Sequence, residues 1–156
     1  VECTHVKDVS ALGRVEELDL SHCSGISNVS ALVGVKKLNL SFCGRVVNVS
    51  ALGGVKQLDL SYCPGVVDVS ALGQVDELDL SNSGVSDVRA LGGVRKLRLL
   101  GGTKVSDVSA LGRVEELDLS FNTAIQDVSA LAGVKQLTLR FCTAITDYSA
   151  VPHALR

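Results

Sequence analysis

Apolar and polar positions recur in one fixed order every 20 residues along this chain. Each unit reads V-S-A-L-G-x-V-x-x-L-x-L-S-x-C-x-x-[IV]-x-[DN], with starts at Val9, Val29, Val49, Val69, Val88, Val108 and Val128. Within it, L-x-L has period two, so Leu18 and Leu20 point inward while Glu17, Asp19 and Ser21 point outward. That is a short strand with one buried face. Strands recurring in one direction pair in parallel, about 4.8 Å apart, so seven of them make a sheet roughly 30 Å long. A polar turn and then [DN]-V-S-A-L-G follow each strand. The Asp/Asn column (Asp8, Asn28, Asn48, Asp68, Asp87, Asp107, Asp127, Asp147) supplies an oxygen ahead of a helical turn, where it accepts backbone N–H groups. The space before Gly13 or Gly53 holds about one turn, which predicts 3-10 geometry rather than α-helix. Val29, Leu32 and Val35 complete the buried columns. So regular a period predicts a solenoid, each unit burying its apolar face only against its neighbours.

The organisation is one solenoid over residues 1–156: a partial repeat at 1–8, seven full repeats, and a degenerate C-terminal turn at 148–156. In the partial repeat Cys3, Val6 and Asp8 fall where Cys23, Ile26 and Asn28 fall one unit later. The fourth unit, from Val69 to Asp87, is one residue short. The last start, Tyr148-Ser149-Ala150-Val151, breaks down at Pro152, which suggests at best a weak cap.

The motif V-x-x-L-x-L-S-x-C-x-x-[IV]-x-D resembles the leucine-rich-repeat signature L-x-x-L-x-L-x-x-N/C-x-L. Its C-x-x-[IV]-x-D stretch is similar to the cysteine-containing subclass. The short D-V-S-A-L-G return resembles the internalin-like and phosphatase-regulator-like subclasses. The first Leu of the signature is Val throughout this chain. The resemblance implies an α/β-class solenoid: a right-handed superhelix with a parallel β-sheet on its concave side and short 3-10 or loop segments on its convex side. It also implies that the concave side binds a protein.

Composition narrows the function. Apolar residues make up 46% of the chain, ample for a continuous core, yet aromatics are only 3% and Trp and Met are absent. A net charge of −2 with 21% charged residues makes no case for nucleic acid or an anionic membrane. No apolar run approaches the ~18 residues that insertion into a membrane requires, and the N-terminal residues lack the pattern of a signal peptide. With no Met and a start inside a repeat, the chain is expected to be a piece of something longer.

All five cysteines occupy one repeat position: Cys3, Cys23, Cys43, Cys63 and Cys142, with Ser83, Gly102 and Asn122 in the other units. A small buried residue with a weak donor suits an inward ladder, bonding to the neighbouring turn. The alternatives are a disulfide or a metal site. In-register side chains point the same way, which disulfide geometry disfavours, and sulfurs in a line do not form a tetrahedron. No metal or cofactor is therefore expected. Thiols in number favour an intracellular, reducing location. The sequons at Asn28, Asn39 and Asn48 argue the other way; the repeat itself, which fixes Ser and the cap column, accounts for them.

Outward positions carry the candidate recognition chemistry. Glu16-Glu17, Lys36-Lys37, Lys56-Gln57, Asp76-Glu77, Arg95-Lys96, Glu115-Glu116 and Lys135-Gln136 alternate in sign between most neighbouring turns. Such columns pair across strands and hold register, or they recognise a ligand. The next outward column is mostly acidic, with Asp79 and Asp118 flanking Arg98. After it come serines, replaced by Leu100 and Arg140 in two units. Phe42, Tyr62, Phe121 and Phe141 share the column just after the strand, with His22 in the first unit. Exposed aromatics anchor interfaces; a lateral stack over the sheet edge is their structural alternative. Asn82 and Gly101 interrupt this column beside the short fourth unit and the irregular fifth, where Arg89 replaces Ser.

These features predict a non-enzymatic scaffold that binds another protein through the concave sheet. The candidate partner-binding residues are Tyr62, Asp79, Arg98, Leu100, Asp118, Phe121, Arg140 and Phe141. A structural element that stacks end to end through uncapped ends, or packs against other subunits or domains, is the alternative. Catalysis is disfavoured, because repeated Ser and Asp columns form no single asymmetric constellation and only His5, His22 and His153 are available as bases.

Overall fold

In the computed structural model, residues 5–101 and 103–156 are described; Cys3 and Gly102 of the ladder column lie outside them. Seven three-residue strands form one sheet in chain order: β1 (Glu17–Asp19), β2 (Lys37–Asn39), β3 (Gln57–Asp59), β4 (Glu77–Asp79), β5 (Lys96–Arg98), β6 (Glu116–Asp118) and β7 (Gln136–Thr138). Every pair is parallel and in register, Leu18 beside Leu38 and so on to Leu117 beside Leu137. The one-residue deletion in the fourth unit leaves this register intact, with Leu78 beside Leu97. Backbone bonds continue past the strands on both sides. Lys36 and Lys37 N–H both donate to the Glu16 carbonyl, and Phe42 N–H donates to that of Ser61.

The convex side is built of 3-10 segments, and no α-helix occurs among the described residues. Two lengths alternate with sequence. Where a glycine closes the segment, as at Ser30–Gly34 and Arg89–Gly93, it runs five residues; before Arg14, Gln74 and Arg113 it runs three. The expected cap is present. Asp8 Oδ1 accepts the Ser10 N–H at 2.9 Å, Asn28 that of Ser30 at 3.0 Å, and the pattern holds to Asp147 and Ser149 at 2.8 Å. The carboxyl sits one residue ahead of the helix cap position, which is Val9 or its equivalent, so the device is an Asx turn.

Columns of Leu, Val and Ile fill the space between sheet and convex side. Leu32, Leu52, Leu72, Leu91, Leu111 and Leu131 are fully enclosed, each worth about 1.5–3 kcal/mol of burial. In the first unit Leu12 and Leu18 are only partly buried. At the other end the tail does more than the broken pattern at Pro152 suggests. Leu155 bridges Thr138 in parallel, its N–H donating to the Leu137 carbonyl and its carbonyl accepting from Leu139. Val151 and Ala154 are buried, and the Arg156 guanidinium lies 4.6 Å from the centre of the Tyr148 ring. Pro152 ends the repeat, but the chain still turns back and covers the last unit.

Candidate functional site: the concave sheet and its aromatic edge

The cysteine column is a hydrogen-bonded ladder. Cys43 Sγ donates to the Leu20 carbonyl, Cys63 Sγ to Leu40 and Cys142 Sγ to Leu119, each at 3.1 Å. Asn122 does the same work with two donors, reaching Leu99 at 2.6 Å and Leu119 at 2.7 Å. Burial pushes the Cys43 thiol up to about 11 and that of Cys63 to about 12. These thiols are therefore poor nucleophiles, and the ladder serves the fold. Ser83 is the exception: its buried hydroxyl has no hydrogen-bond partner among the described residues.

The open face is a groove of about 840 Å³ that crosses all seven strands. Its outer rows are held by ion pairs between neighbouring turns: Lys37 with Glu17 at 2.7 Å, Arg95 with Glu77 at 2.7 Å, Lys96 with Glu116 at 3.0 Å and Lys135 with Glu115 at 2.8 Å. Exposed pairs of this kind are individually weak. Their pattern resists a slip in register, which would set like charges side by side. These side chains are thus already engaged within the molecule.

The acidic column has a structural duty that its position alone does not reveal. Asp19, Asn39, Asp59, Asp79 and Asp118 each accept the N–H of the Ser two residues on, at 2.8–3.0 Å. This second Asx turn ends each strand. Arg98 has no such oxygen, so the Leu100 N–H turns to Ser81 Oγ of the preceding unit, at 3.1 Å. Arg98 reaches Asp79 at 3.9 Å and lies beside Asp118 in the sheet register. The structure therefore brings Asp79, Arg98 and Asp118 together as one cluster across three neighbouring strands. Ser41, Ser81 and Ser120 are buried and Ser21 and Ser61 partly so, which takes most of the serine column out of the open face that simple alternation implies. Leu100 is half-buried and Arg140 is exposed.

The aromatic column forms stacks along the edge of the sheet. His22 and Phe42 lie 4.4 Å apart, Phe42 and Tyr62 4.3 Å, and Phe121 and Phe141 4.8 Å, all nearly parallel. Phe42, Tyr62, Phe121 and Phe141 remain 42–66% exposed, so the lateral stack and an exposed surface coexist. Every residue of the column has left-handed backbone, from φ 49° at Gly101 and 55° at Asn82 to 66° at Phe121. For a residue with a side chain this costs about 1–2 kcal/mol, while each stacked pair returns about 0.5–1.5 kcal/mol. Asn and Gly, which tolerate that backbone most readily, stand where the rings are missing. Two stacks result, separated by the fourth and fifth units. Tyr62 belongs to one stack and Phe121 and Phe141 to the other, so the eight candidate residues divide between the groove floor and its edge.

The leucine-rich-repeat family profile matches residues 114–132. No curated protein sequence matches the chain. Among solved structures, an internalin (inlF) of Listeria monocytogenes superposes with a TM-score of 0.76 at 25% identity, over 93% of this chain and 47% of its own length. Internalin C2 (inlC2) of the same organism gives 0.66 at 25% identity, over 82% of this chain and 62% of its own. The functional domain of InlJ from Listeria monocytogenes, which includes a cysteine ladder, gives 0.67 at 19% identity, over 92% of this chain and 34% of its own. The chain thus spans between a third and two thirds of the length of these structures. The repeat, the parallel sheet and the thiol ladder give the chain a leucine-rich-repeat solenoid fold, similar to that of these internalins.

Proposed function

We propose that the chain is a non-enzymatic scaffold that binds a protein partner through its concave sheet. The observation that carries this reading is the open groove across all seven strands, with Arg98 breaking the acidic column on its floor. Arg98 lies between Asp79 and Asp118 on the floor, while Leu100, Arg140 and the exposed rings of Tyr62, Phe121 and Phe141 lie toward its edge. A partner of mixed polar and aromatic character fits such a patch. The alternating ion pairs leave no basic track along the sheet for a nucleic acid. Thiols in number favour a reducing compartment, and no described helix is long and apolar enough to cross a membrane.

Site-specific photo-cross-linking tests the reading. A photoreactive residue at Asp59 or Thr138 on the sheet should capture a protein from an extract of the source cells. One at Ser86 or Ala132 on the convex side should not. Equal capture from both sides, or capture from the convex side alone, refutes it.

A further inference from the structure

We infer that the aromatic edge is a self-complementary dimer interface, in which two copies of this chain, related by a two-fold axis, complete one continuous stack of rings. The inference concerns the edge and does not rest on the concave-face reading.

The register of the column carries it. Along the edge the occupants are His22, Phe42, Tyr62, Asn82, Gly101, Phe121 and Phe141. Tyr62 and Phe121 are three rungs apart, about 14 Å at the usual strand spacing. Two rings are missing between them, and two ring faces are left unstacked. Two rings placed in that slot would divide it into three intervals of about 4.8 Å, the spacing at which Phe121 and Phe141 already stack. The chain therefore carries both a two-rung gap between rings, held only by the Asn82 side chain and Gly101, and, next to it, a two-ring stack. Turning a second copy end for end places its Phe141 opposite Asn82 and its Phe121 opposite Gly101. The same operation puts the first copy's Phe121 and Phe141 into the second copy's slot. Every overlapping rung then holds one ring, and the order becomes His22, Phe42, Tyr62, Phe141, Phe121, then Phe121, Phe141, Tyr62, Phe42, His22. This is an isologous, closed arrangement.

Charge agrees with the same alignment. Arg98 of one copy falls on the rung of Asp118 in the other, and Arg140 on the rung of Asp79. The two Leu100 side chains fall either side of the axis. The charged residues that break the repeat in these columns thus stand level with oppositely charged residues of the second copy, which favours this alignment over one that sets like charges level. Tyr62, Phe121 and Phe141 are 47%, 54% and 66% exposed, and at roughly 200 Å² per ring they contribute about 300 Å² from each copy. That is well under the ~800 Å² per partner of a standard interface, so the dimer is a weak one that forms as concentration rises.

Sedimentation equilibrium on the 156-residue chain, with no other protein present, tests this. The wild type should pass from one to two copies as its concentration is raised. Gly101→Phe should remain a monomer, because it fills the slot; the left-handed backbone there is shared by the other rings, and an added Cβ would lie 3.5 Å from that of Phe121. Phe121→Asn should also remain a monomer, since it removes an inserted ring and installs a residue already tolerated at Asn82. Arg140→Glu, placed opposite Asp79, should weaken association. If Gly101→Phe does not fold, Phe121→Asn decides alone. A wild type that stays monomeric to about 1 mM, where even weak interfaces assemble, overturns the inference. So does open-ended growth beyond a dimer, or a dimer unchanged in mass by both ring substitutions. Capture of another protein through the groove by a strictly monomeric chain would sink the dimer and leave the concave-face reading standing.

Discussion

Ser83→Cys should make this protein more stable. Ser83 occupies the thiol column, and its hydroxyl is buried without a hydrogen-bond partner among the described residues. Cys43, Cys63, Asn122 and Cys142 all reach the carbonyl 23 positions earlier, which for residue 83 is that of Leu60. A thiol has the longer bond from Cβ and spans this distance in the neighbouring rungs. An unsatisfied buried hydroxyl costs about 1–3 kcal/mol, and replacing it with a bonded thiol should recover about 1–2 kcal/mol. For a chain of this size that is about 2–4 °C in Tm per kcal/mol. Guanidinium unfolding should show a higher midpoint at an unchanged slope, the mark of added stability without a change in the unfolded chain. Asn122→Ser should move the other way, because it removes the two short bonds to the carbonyls of Leu99 and Leu119. An unaltered or lower midpoint for Ser83→Cys would refute the ladder as a source of stability.

Three further outcomes follow from the same geometry. Backbone hydrogen bonds hold the carboxyls of Asp68, Asp127 and Asp147 below their ordinary value of 3.8, and Arg89 holds Asp87 at about 2. Their contribution is present above that ordinary value and is lost as pH falls through the lowered ones, so Tm should drop between pH ~4 and ~2. Asn at 68, 127 and 147, as nature has at Asn28 and Asn48, should flatten that limb; an equally steep one counts against these caps. The raised thiols act at the other extreme. Cys43 and Cys63 stay protonated to about 11 and 12 against an ordinary 9.0, so their stabilisation is complete below pH ~9 and lost as pH rises through the higher values. At pH 8 a thiol reagent should label Cys43, Cys63 and Cys142 only after unfolding; rapid labelling of the native chain would contradict their burial. Finally, Gly112→Ala should cost about 1–3 kcal/mol, because its Cβ would lie 2.3 Å from the Ala130 carbonyl, whereas Gly54→Ala, with nothing nearer than 3.9 Å, should be near neutral by thermal melting.

The spine of the fold was legible in the residues because a strict period averages away local ambiguity. Leu18, Leu20, Val29 and Leu32 and their equivalents announce strand, return and core, and the [DN]-V-S cap reads directly. Three features do not show in the residues so directly. The Asp19-Leu20-Ser21 segment has the same acid-x-Ser spacing as Asn28-Val29-Ser30, and both fold as Asx turns. Only the second announces a cap, because Asp19 also fits an outward strand position. The left-handed backbone of the aromatic column was hidden by the rings, since Phe and Tyr rarely adopt it. Asn82 and Gly101 were the available signal: they share the column and are the residues that suit that backbone best. Pro152 ends the repeat and so hides the C-terminal turn, whose packing depends on Val151, Ala154 and the backbone of Leu155.

The central claim is that function resides where the repeat is broken. It is tested most directly by repairing the repeat. A chain carrying Arg98→Asp, Leu100→Ser, Gly101→Phe and Arg140→Ser regains an Asx turn at the end of β5 and an unbroken serine column. Its yield of cross-linked partner, measured from a photoreactive residue at Asp59, is the decisive quantity. The account predicts a folded chain, at least as resistant to denaturant as the wild type, whose cross-linking through the sheet is lost. Undiminished cross-linking by the repaired chain would contradict it.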